Sequence, residues 1–506
     1  MAHSVSPRTA VLGVLALLGA VGCGEQSRDG AASRAPAGVP GVVLICIDTL
    51  RADAVALEPG SSAGAMPALE AFAREGTAFS DASTTASWTA PAVASVLSGL
   101  DVARTGVAGT QAVGSLSPSV HTLAERLAEH GWSTAAYTSG GWVVADRGYA
   151  QGFESFHPTF DAQGPEMSLA AWRRARPEGK PFFLLLHTYA AHEPYGPKVA
   201  DETGAPVPMR PCDPAVPAAA ALHRRMAEGT RNLAPASAFW FLERALTDAS
   251  SRSVIAAALG PARGAAHSWS SVLDVVEGVD PADPERVALA GRLRLAYAAG
   301  LAETDRVFAR TLAALRAAGL TPETPIVVVG DHGEAFGEHE AFSHGRFLYD
   351  EHLRVPLLVR APGRFPTGKV VAGSCGLADV APTILGLAGI DASDVDGRPL
   401  LPLARGDEAG HVVLAEETLY PGASAVPVRR RSVRTEDAKY VLTLEFATLR
   451  VVREELYDLR LDPGERTPLG LSSVTCFGLD FCQAVAQVRD GTGWQGIPSP
   501  CVAAAR

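Results

Sequence analysis

The chain has 506 residues, of which 47% are hydrophobic and 20% charged, so it can bury a large core and is not disordered as a whole. Its 44 Lys and Arg residues against 55 Asp and Glu residues give a net charge of −11. The basic residues are scattered rather than clustered, which argues against DNA or RNA as a partner.

Residues 1–23 have the pattern of an export signal, with Arg8 followed by an apolar run and small residues up to Cys23. The run is too short for the roughly 20 residues of a membrane-spanning helix. The segment LGAVGC, which ends at Cys23, resembles a bacterial lipobox, and a simple cleaved signal is the alternative. We expect a lipoprotein of a bacterial cell envelope, anchored in a membrane and facing the periplasm or the exterior, with residues 24–40 as a flexible tether.

Three short apolar runs are typical of strands that are covered on both faces in a parallel sheet, and residues 133–137 are a fourth candidate strand. A stretch with helical spacing precedes the candidate strand, and this alternation predicts an α/β fold with an open, doubly wound sheet. Ligands of such folds bind just beyond the carboxyl ends of the strands, where Asp48, His187 and Asp331 stand. The predicted strands are 42–47, 133–137, 182–186 and 326–329, and the predicted helix is 122–131.

Composition divides the chain into a large α/β domain, residues 41–405, and a smaller C-terminal subdomain with a tail, residues 406–506. Residues 196–290 are rich in Ala and Pro and predict a helical insertion, either a lid over the site or a packing appendage. Predicted helices of the insertion lie near 216–228 and 237–258, and predicted antiparallel strands of the C-terminal subdomain are 412–416, 428–434 and 439–445.

The cysteines show no spacing typical of a zinc site. Cys46 lies inside an apolar run and is expected to be a buried, inert thiol. Cys476, Cys482 and Cys501 lie close together in the tail, where an oxidising compartment allows one disulfide of open connectivity.

Several polar residues have the chemistry that a metal-assisted reaction at phosphorus or sulfur requires. Such a reaction needs hard anionic ligands, a nucleophile that the metal can deprotonate and donors for the equatorial oxygens. Asp48, Asp331 and His332 follow predicted strands, and Thr89 ends a hydroxyl-rich segment that starts at Ser83. Each feature alone is common in structural roles, since Ser and Thr before Pro usually form turns or helix caps.

Eight blocks of sequence occur in a fixed order along the chain. They are VVLICIDTLRAD (42–53), MPALEAFAREGTAF (66–79), SWTAPAVASVLSGL (87–100), FFLLLHTYAAHEPY (182–195), VVVGDHGEAFGEH (327–339), SHGRFLYDEHLRVPLLVRAPG (343–363), DVAPTILGLAGI (379–390) and ELYDLRLDPGE (455–465). Their order and context resemble the sulfatase family of the alkaline phosphatase superfamily. The resemblance implies an alkaline-phosphatase-like αβα sandwich as the catalytic domain and a smaller C-terminal subdomain with an antiparallel sheet.

The resemblance also implies a divalent metal site. Carried over by position, Asp48, Asp331 and His332 bind the metal, and the oxygen of the nucleophile is a further ligand. A typical sulfatase motif has another Asp where Thr49 stands, so a calcium cage of oxygens alone is less favoured here than Zn or Mn, which suit the imidazole of His332.

The nucleophile position departs from the family pattern. The first residue of the family's C/S-x-P-S-R motif falls on Thr89, and Val93 replaces the Arg. The lysine of a GKW motif is replaced in Gly140-Gly141-Trp142. Threonine cannot become the aldehyde that formylglycine sulfatases use, so we expect Thr89 to attack directly as a metal-bound nucleophile, which favours phosphate or phosphonate esters. Ser87 is a reserve nucleophile.

Two histidines are expected to complete the catalytic set. The resemblance makes His192 and His344 candidates for binding non-bridging oxygens or protonating the leaving group, with structural hydrogen bonding as the alternative for each. His187 is expected to lie in the core or behind the ligands.

Together these features predict a metal-dependent hydrolase of sulfuric or phosphoric esters carried on small molecules, glycans or lipids. A transferase that moves phosphoryl groups between envelope molecules is the alternative enzyme. An inactive envelope-binding lipoprotein is the alternative without catalysis.

Overall fold

The computed structural model describes most of the chain outside its two ends and the middle of the predicted insertion. Among the described residues, no helix is long and apolar enough to cross a membrane. The predicted leader and tether, except residues 39 and 40, and both predicted insertion helices lie outside them. The described residues are 39–57, 64–107, 114–192, 198–200, 206–208, 280–282, 284–419, 427–469 and 477–489.

The described elements alternate between strands and helices as far as the C-terminal sheet. The strands are β1 Gly41–Ile47, β2 Thr77–Phe79, β3 Ala82–Ser83, β4 Ser133–Tyr137, β5 Ser155–His157, β6 Phe182–Thr188, β7 Lys198–Ala200, β8 Pro206–Pro208, β9 Ile326–Gly330, β10 Ala335–Phe336, β11 Phe342–Ser343, β12 Leu357–Arg360, β13 Lys369–Val371, β14 Cys375–Gly376, β15 Val413–Leu419, β16 Val428–Arg434, β17 Ala438–Glu445 and β18 Val451–Asp458. The α-helices are α1 Pro67–Arg74, α2 Thr89–Ser98, α3 Val102–Thr105, α4 Leu123–Glu129, α5 Phe160–Ala175, α6 Pro284–Ala317, α7 Asp350–Leu353, α8 Val380–Ala388, α9 Leu400–Arg405 and α10 Leu479–Arg489, and four short 3-10 helices occupy Ala52–Ala54, Ala145–Arg147, Glu338–Glu340 and Leu377–Asp379.

The main sheet has eight strands in the order β13-β2-β12-β9-β1-β6-β4-β5. Strand β1 lies at its centre and pairs in parallel with β6 on one side and β9 on the other. All four predicted strands of this sheet are present, which confirms the α/β fold class. The antiparallel strand β12, between β9 and β2, makes the sheet mixed.

Both faces of the central strand are covered, which explains its unbroken apolar sequence. Leu44 and its neighbours on one face pack in a cluster with Val93 of α2 and Ile384 of α8. On the other face, Ile45 packs in a cluster with Leu69 of α1 and Phe308 of α6. The resulting αβα layers bring the carboxyl ends of β1, β6 and β9 to one edge of the sheet.

A four-stranded antiparallel sheet, β15-β16-β17-β18, forms the smaller C-terminal unit. The three predicted strands correspond to β15, β16 and β17. Strand β18 and the helix α10 were not predicted. Strand β18 begins with exposed valines and charged residues rather than an alternating pattern. Arg434 of β16 joins this sheet to the α/β layers through buried ion pairs with Asp81 and Asp350.

The predicted insertion overlaps elements that belong to the α/β unit or form strands. Helix α6 begins at Pro284 and places Tyr297 and Phe308 in the core, so residues 284–290 belong to a core helix. Strands β7 and β8 form a small antiparallel pair inside the range in which the sequence showed no strand signal.

Candidate active site

Thr89 is the first residue of helix α2 and lies at the carboxyl-end edge of the main sheet. Pro91 is tolerated in this first turn because its missing N–H would have no partner inside the helix. The whole helix is buried, and Thr89 itself is 1% exposed. Its hydroxyl donates a hydrogen bond to Asp48 Oδ2 over 2.9 Å and lies 3.3 Å from His332 Nε2.

Asp48, Asp331 and His332 converge on the same point from the ends of β1 and β9. One ligand atom of each lies within 4.8 Å of those of the other two. His332 Nε2 lies 3.8 Å from Asp48 Oδ1 and 3.7 Å from Asp331 Oδ2. All three residues are fully buried. The structure therefore brings all four sequence-predicted metal-site residues, Thr89 among them, into one cluster.

The backbone directly after strand β1 is held in a strained conformation. Thr49, directly after Asp48, has a φ of 54°, which is unusual for a β-branched residue. This turn lets the Thr49 N–H donate to Asp331 Oδ1 over 3.0 Å, while the Thr49 hydroxyl donates to the Asp48 carbonyl over 2.8 Å. Thr49, where a typical sulfatase motif has an Asp, thus orients the Asp331 carboxylate through its backbone N–H.

The protonation of His332 follows from its contacts. Its Nδ1 lies 2.9 Å from the carbonyl oxygen of Gly333, which can only accept, so Nδ1 carries the proton. Burial lowers the pKa of His332 well below its usual value, so the ring is neutral. Its Nε2 therefore presents a lone pair toward Thr89.

His192 and His344 lie at the accessible side of this cluster. Their side chains are 17% and 16% exposed, whereas those of Asp48 and His332 are not exposed. His192 Nε2 lies 3.9 Å from Asp48 Oδ1. The His344 ring centroid lies 4.7 Å from that of His332 and 5.0 Å from that of His192. An anion that approaches Thr89 therefore meets two imidazoles.

The side chain of Glu334 orients the ring of His344. Its fully buried carboxylate lies 3.2 Å from His344 Nδ1. This contact favours a proton on Nδ1 of His344.

Ser87, the reserve nucleophile of the sequence analysis, makes a different contact. Its hydroxyl donates to Glu417 Oε2 over 2.9 Å, and its carbonyl accepts the Gly345 N–H over 2.8 Å. Burial raises the pKa of Glu417 to about 8. Sequence reasoning missed Glu417 because it lies on β15, 330 residues from Ser87 and in a different sheet.

Tyr189 is a second residue that sequence reasoning missed, although it lies within the block FFLLLHTYAAHEPY. Its phenol has the Thr89 hydroxyl and the Asp48 carboxylate among its neighbours and accepts the Trp142 N–H over 3.1 Å. Burial, together with the nearby Asp48, raises the pKa of Tyr189, so the phenol stays protonated. A neutral donor therefore stands beside the Thr89 hydroxyl.

His187 lies behind the cluster, in strand β6. It is fully buried, and its Nε2 lies 3.8 Å from Asp48 Oδ2. The sequence-based placement of this residue in the core or behind the ligands agrees with this position.

Comparison with known proteins gives this arrangement a context. The family profile described as sulfatase matches residues 40–390, and one described as N-sulphoglucosamine sulphohydrolase, C-terminal, matches residues 337–472. The chain is 34% identical to the steryl-sulfatase of Mus musculus over 226 residues, which are 37% of this chain and 35% of that protein. The chain thus spans about a third of the length of the curated relatives that it matches.

Solved structures share the fold at low sequence identity. A 2-O GAG sulfatase has a TM-score of 0.59 at 21% identity, with 89% of this chain and 90% of that chain covered. The phosphonate monoester hydrolase of Agrobacterium radiobacter has a TM-score of 0.57 at 19% identity, with 90% and 94% covered. Since the sulfatase profile matches well over half of its residues, the chain belongs to the sulfatase family.

Proposed function

We propose that this chain is a metal-dependent hydrolase of sulfate, phosphate or phosphonate esters with Thr89 as its nucleophile. One observation carries the proposal: the Thr89 hydroxyl oxygen lies 2.9 Å from Asp48 Oδ2 and 3.3 Å from His332 Nε2. Membership of the sulfatase family supports ester hydrolysis as the reaction type. The fold of a phosphonate monoester hydrolase supports chemistry at phosphorus as well as at sulfur.

The buried donor set fits a divalent cation. Asp331 Oδ2 accepts no hydrogen bond from the described residues, and burial raises the pKa of this carboxyl to about 7. Two buried carboxylates side by side are costly without a compensating positive charge. Asp48, Asp331 and His332, with the Thr89 oxygen, would hold the ion, and the imidazole favours Zn or Mn over Ca. A bound divalent cation supplies Lewis acidity that lowers the pKa of the Thr89 hydroxyl and offsets charge on the transferred group.

Thr89 begins the reaction by losing its proton along an existing hydrogen bond. The proton moves toward Asp48 Oδ2, and the Thr89 oxygen attacks phosphorus or sulfur in line with the ester oxygen. The bond to the ester oxygen breaks as the bond to Thr89 forms, leaving an esterified threonine and an alcohol. Water then attacks the same atom, releases the inorganic anion and returns the proton to Thr89. The N-terminus of helix α2 adds a favourable field for the anion.

His192 and His344 serve the leaving group and the non-bridging oxygens. Both rings border the buried cluster and retain partial exposure, which suits groups that meet substrate. Protonation of the departing alkoxide by one of them completes the proton balance.

The substrate preference follows from the nucleophile. A sulfothreonine lacks the easy exit that an aldehyde hydrate gives to sulfate, whereas a phosphothreonine can be hydrolysed by a second in-line attack at phosphorus. We therefore expect phosphate or phosphonate monoesters, free or on a glycan or lipid, to be hydrolysed faster than sulfate esters.

A panel of aryl phosphate, phosphonate, phosphodiester and sulfate esters tests the function. The purified protein, stripped of metal with a chelator, is assayed with and without Zn²⁺ or Mn²⁺. Turnover that appears only with metal supports the proposal. Full turnover in the chelated protein, or none on any ester with metal present, contradicts it.

The covalent step has its own readout. Mass spectrometry of the peptide that contains Thr89, after rapid quenching with substrate, should show a phospho or sulfo adduct, and its mass identifies the ester class. Transfer of the group to an added alcohol in preference to water would favour the phosphoryl transferase. An adduct on Ser87 instead of Thr89 would contradict the assigned nucleophile.

The predicted export signal leads to a separate proposal on location. Residues 18–23 support lipidation at Cys23 and anchoring in a bacterial envelope membrane. Mass spectrometry of the N-terminal peptide of the protein expressed in a bacterium tests it. A diacylglycerol-modified Cys23 is the expected result, and an unmodified N-terminus at another residue contradicts it.

A further inference from the structure

We propose a second cation site, formed by Cys46, His187 and Asp331 directly behind the Asp48–Asp331–His332 cluster. It goes beyond the proposed function, which needs only the first cation, and the two sites share Asp331 alone. The thiolate, imidazole and carboxylate donors of this second site favour Zn²⁺.

The sheet register brings the three side chains together. Cys46 of β1 and His187 of β6 are paired neighbours in parallel strands, so their side chains leave the same face of the sheet. Asp331 follows β9, which pairs with β1 on its other side. The Cys46 Sγ, one ring nitrogen of His187 and one carboxylate oxygen of Asp331 all lie within 4.8 Å of one another.

His187 supplies the observation that points to a ligand. It is fully buried, and neither of its ring nitrogens has a hydrogen-bond partner among the described residues. An imidazole always carries at least one N–H donor and, when neutral, one acceptor, and leaving either unpartnered in a core is unfavourable because its hydration is lost without replacement. Asp331 Oδ2 is likewise unpartnered. A cation between these side chains pairs one ring nitrogen of His187 and a carboxylate oxygen of Asp331 at once, which inert packing does not.

The donor chemistry selects the ion. Thiolate, imidazole and carboxylate are the three ligand types that Zn²⁺ accepts in proteins, and a thiolate disfavours Mg²⁺ and Ca²⁺. Binding replaces the thiol proton of Cys46 by the metal and releases that proton to solvent. With two divalent ions, the charges of Asp48, Asp331 and the Cys46 thiolate leave one net positive charge for an anionic substrate.

Cobalt substitution tests the site without any measurement of turnover. The full-length protein is stripped of metal, titrated with Co²⁺ and followed by near-ultraviolet absorbance and elemental analysis. We expect two Co²⁺ per chain and a thiolate-to-cobalt charge-transfer band. One ion without the band overturns the second site while leaving the proposed function intact, and no ion at all overturns both.

Three variants identify the ligands. Cys46→Ala should remove the band and lower the stoichiometry to one, whereas Cys375→Ala should keep both. Cys375 is equally buried but belongs to no cluster of metal-ligating side chains among the described residues. His332→Ala, which impairs only the first site, should keep the band with one ion. A band that survives Cys46→Ala, or disappears in Cys375→Ala, overturns the assignment.

Discussion

Tyr189 occupies the space that a side chain at position 141 would need. A Cβ on Gly141 would lie 2.5 Å from the Tyr189 hydroxyl oxygen, and the glycine has a φ of 61°. The resemblance to other sulfatases places a lysine of a GKW motif at this position. In this chain the phenol of Tyr189 therefore lies beside the Thr89 hydroxyl and fills the space that a side chain at position 141 would enter.

Gly141→Ala should displace Tyr189 from Thr89. We expect turnover to fall at least tenfold and the free energy of unfolding to fall by about 1–3 kcal/mol, because both the positive φ and the close contact resist a methyl group. Steady-state kinetics and chemical denaturation measure the two effects. Gly179→Ala is the matched control, since Gly179 also has a positive φ but no atom within 4 Å of its Cβ position. Equal loss of turnover in both variants would contradict a role for the Tyr189 contact.

Replacement of Thr89 separates a nucleophile from a structural hydroxyl. Thr89→Ala should lower turnover by about a thousandfold or more, because the attacking atom is removed. Thr89→Ser keeps that atom and should retain much of the activity. Both variants should keep the wild-type circular dichroism spectrum. Similar activity in the Ala variant and the wild type would exclude Thr89 as nucleophile.

Replacement of His192 and replacement of His344 should lower turnover in ways that depend differently on the leaving group of the ester. Replacement of the residue that protonates the leaving group should cost about 10²–10⁴-fold on an alkyl ester and much less on a nitrophenyl ester. Replacement of the other should slow both esters alike. Kinetics of His192→Asn and His344→Asn on the two esters measure this, with the exposed His130→Asn as control. If each variant lost the same factor of turnover on both esters, neither histidine would be the general acid.

Glu417 should make stability depend on pH. Burial raises its pKa to about 8, above the usual 4.5, so the folded protein holds this proton more tightly than the unfolded chain. Stability from this group is therefore present below about pH 4.5 and is lost as the pH rises to about 8, at no more than about 1.4 kcal/mol per pH unit. Glu417→Gln keeps an acceptor for Ser87 and should flatten that slope. Parallel stability curves from pH 5 to 9 would contradict the buried neutral carboxyl.

Lys439 should be important for attaching the C-terminal sheet. Its fully buried ammonium lies 2.9 Å from Asp350 and 2.8 Å from Glu465. Lys439→Met leaves two buried carboxylates with less compensation and should cost about 3–5 kcal/mol of unfolding free energy. Arg450→Met breaks an ion pair whose arginine side chain is 68% exposed and should cost far less, because solvent screens the pair. Urea denaturation measures the unfolding free energy of both variants. Equal losses would show that the buried ion pairs stabilise the protein no more than the exposed pair does.

The sequence by itself determined the elements whose environment is uniform along the chain. The run Val42 to Ile47 is apolar at every position because both faces of β1 are covered, so its strand and the parallel sheet could be predicted from it. Thr122 and Glu125 form the capping box that begins α4, a signal contained within four residues. Polar residues directly after such strands identified Asp48, Asp331 and His332 as candidates.

Only the tertiary structure decided which distant groups meet. The partners of Ser87 and of Gly141 lie in other elements, and neither Glu417 nor Tyr189 carries a local pattern that announces its contact. The same holds for His187, whose unpartnered nitrogens are visible only once β6 lies beside β1. Local sequence sets periodicity and chain reversals, whereas the chemistry of a buried group depends on neighbours brought together by packing of the entire sheet.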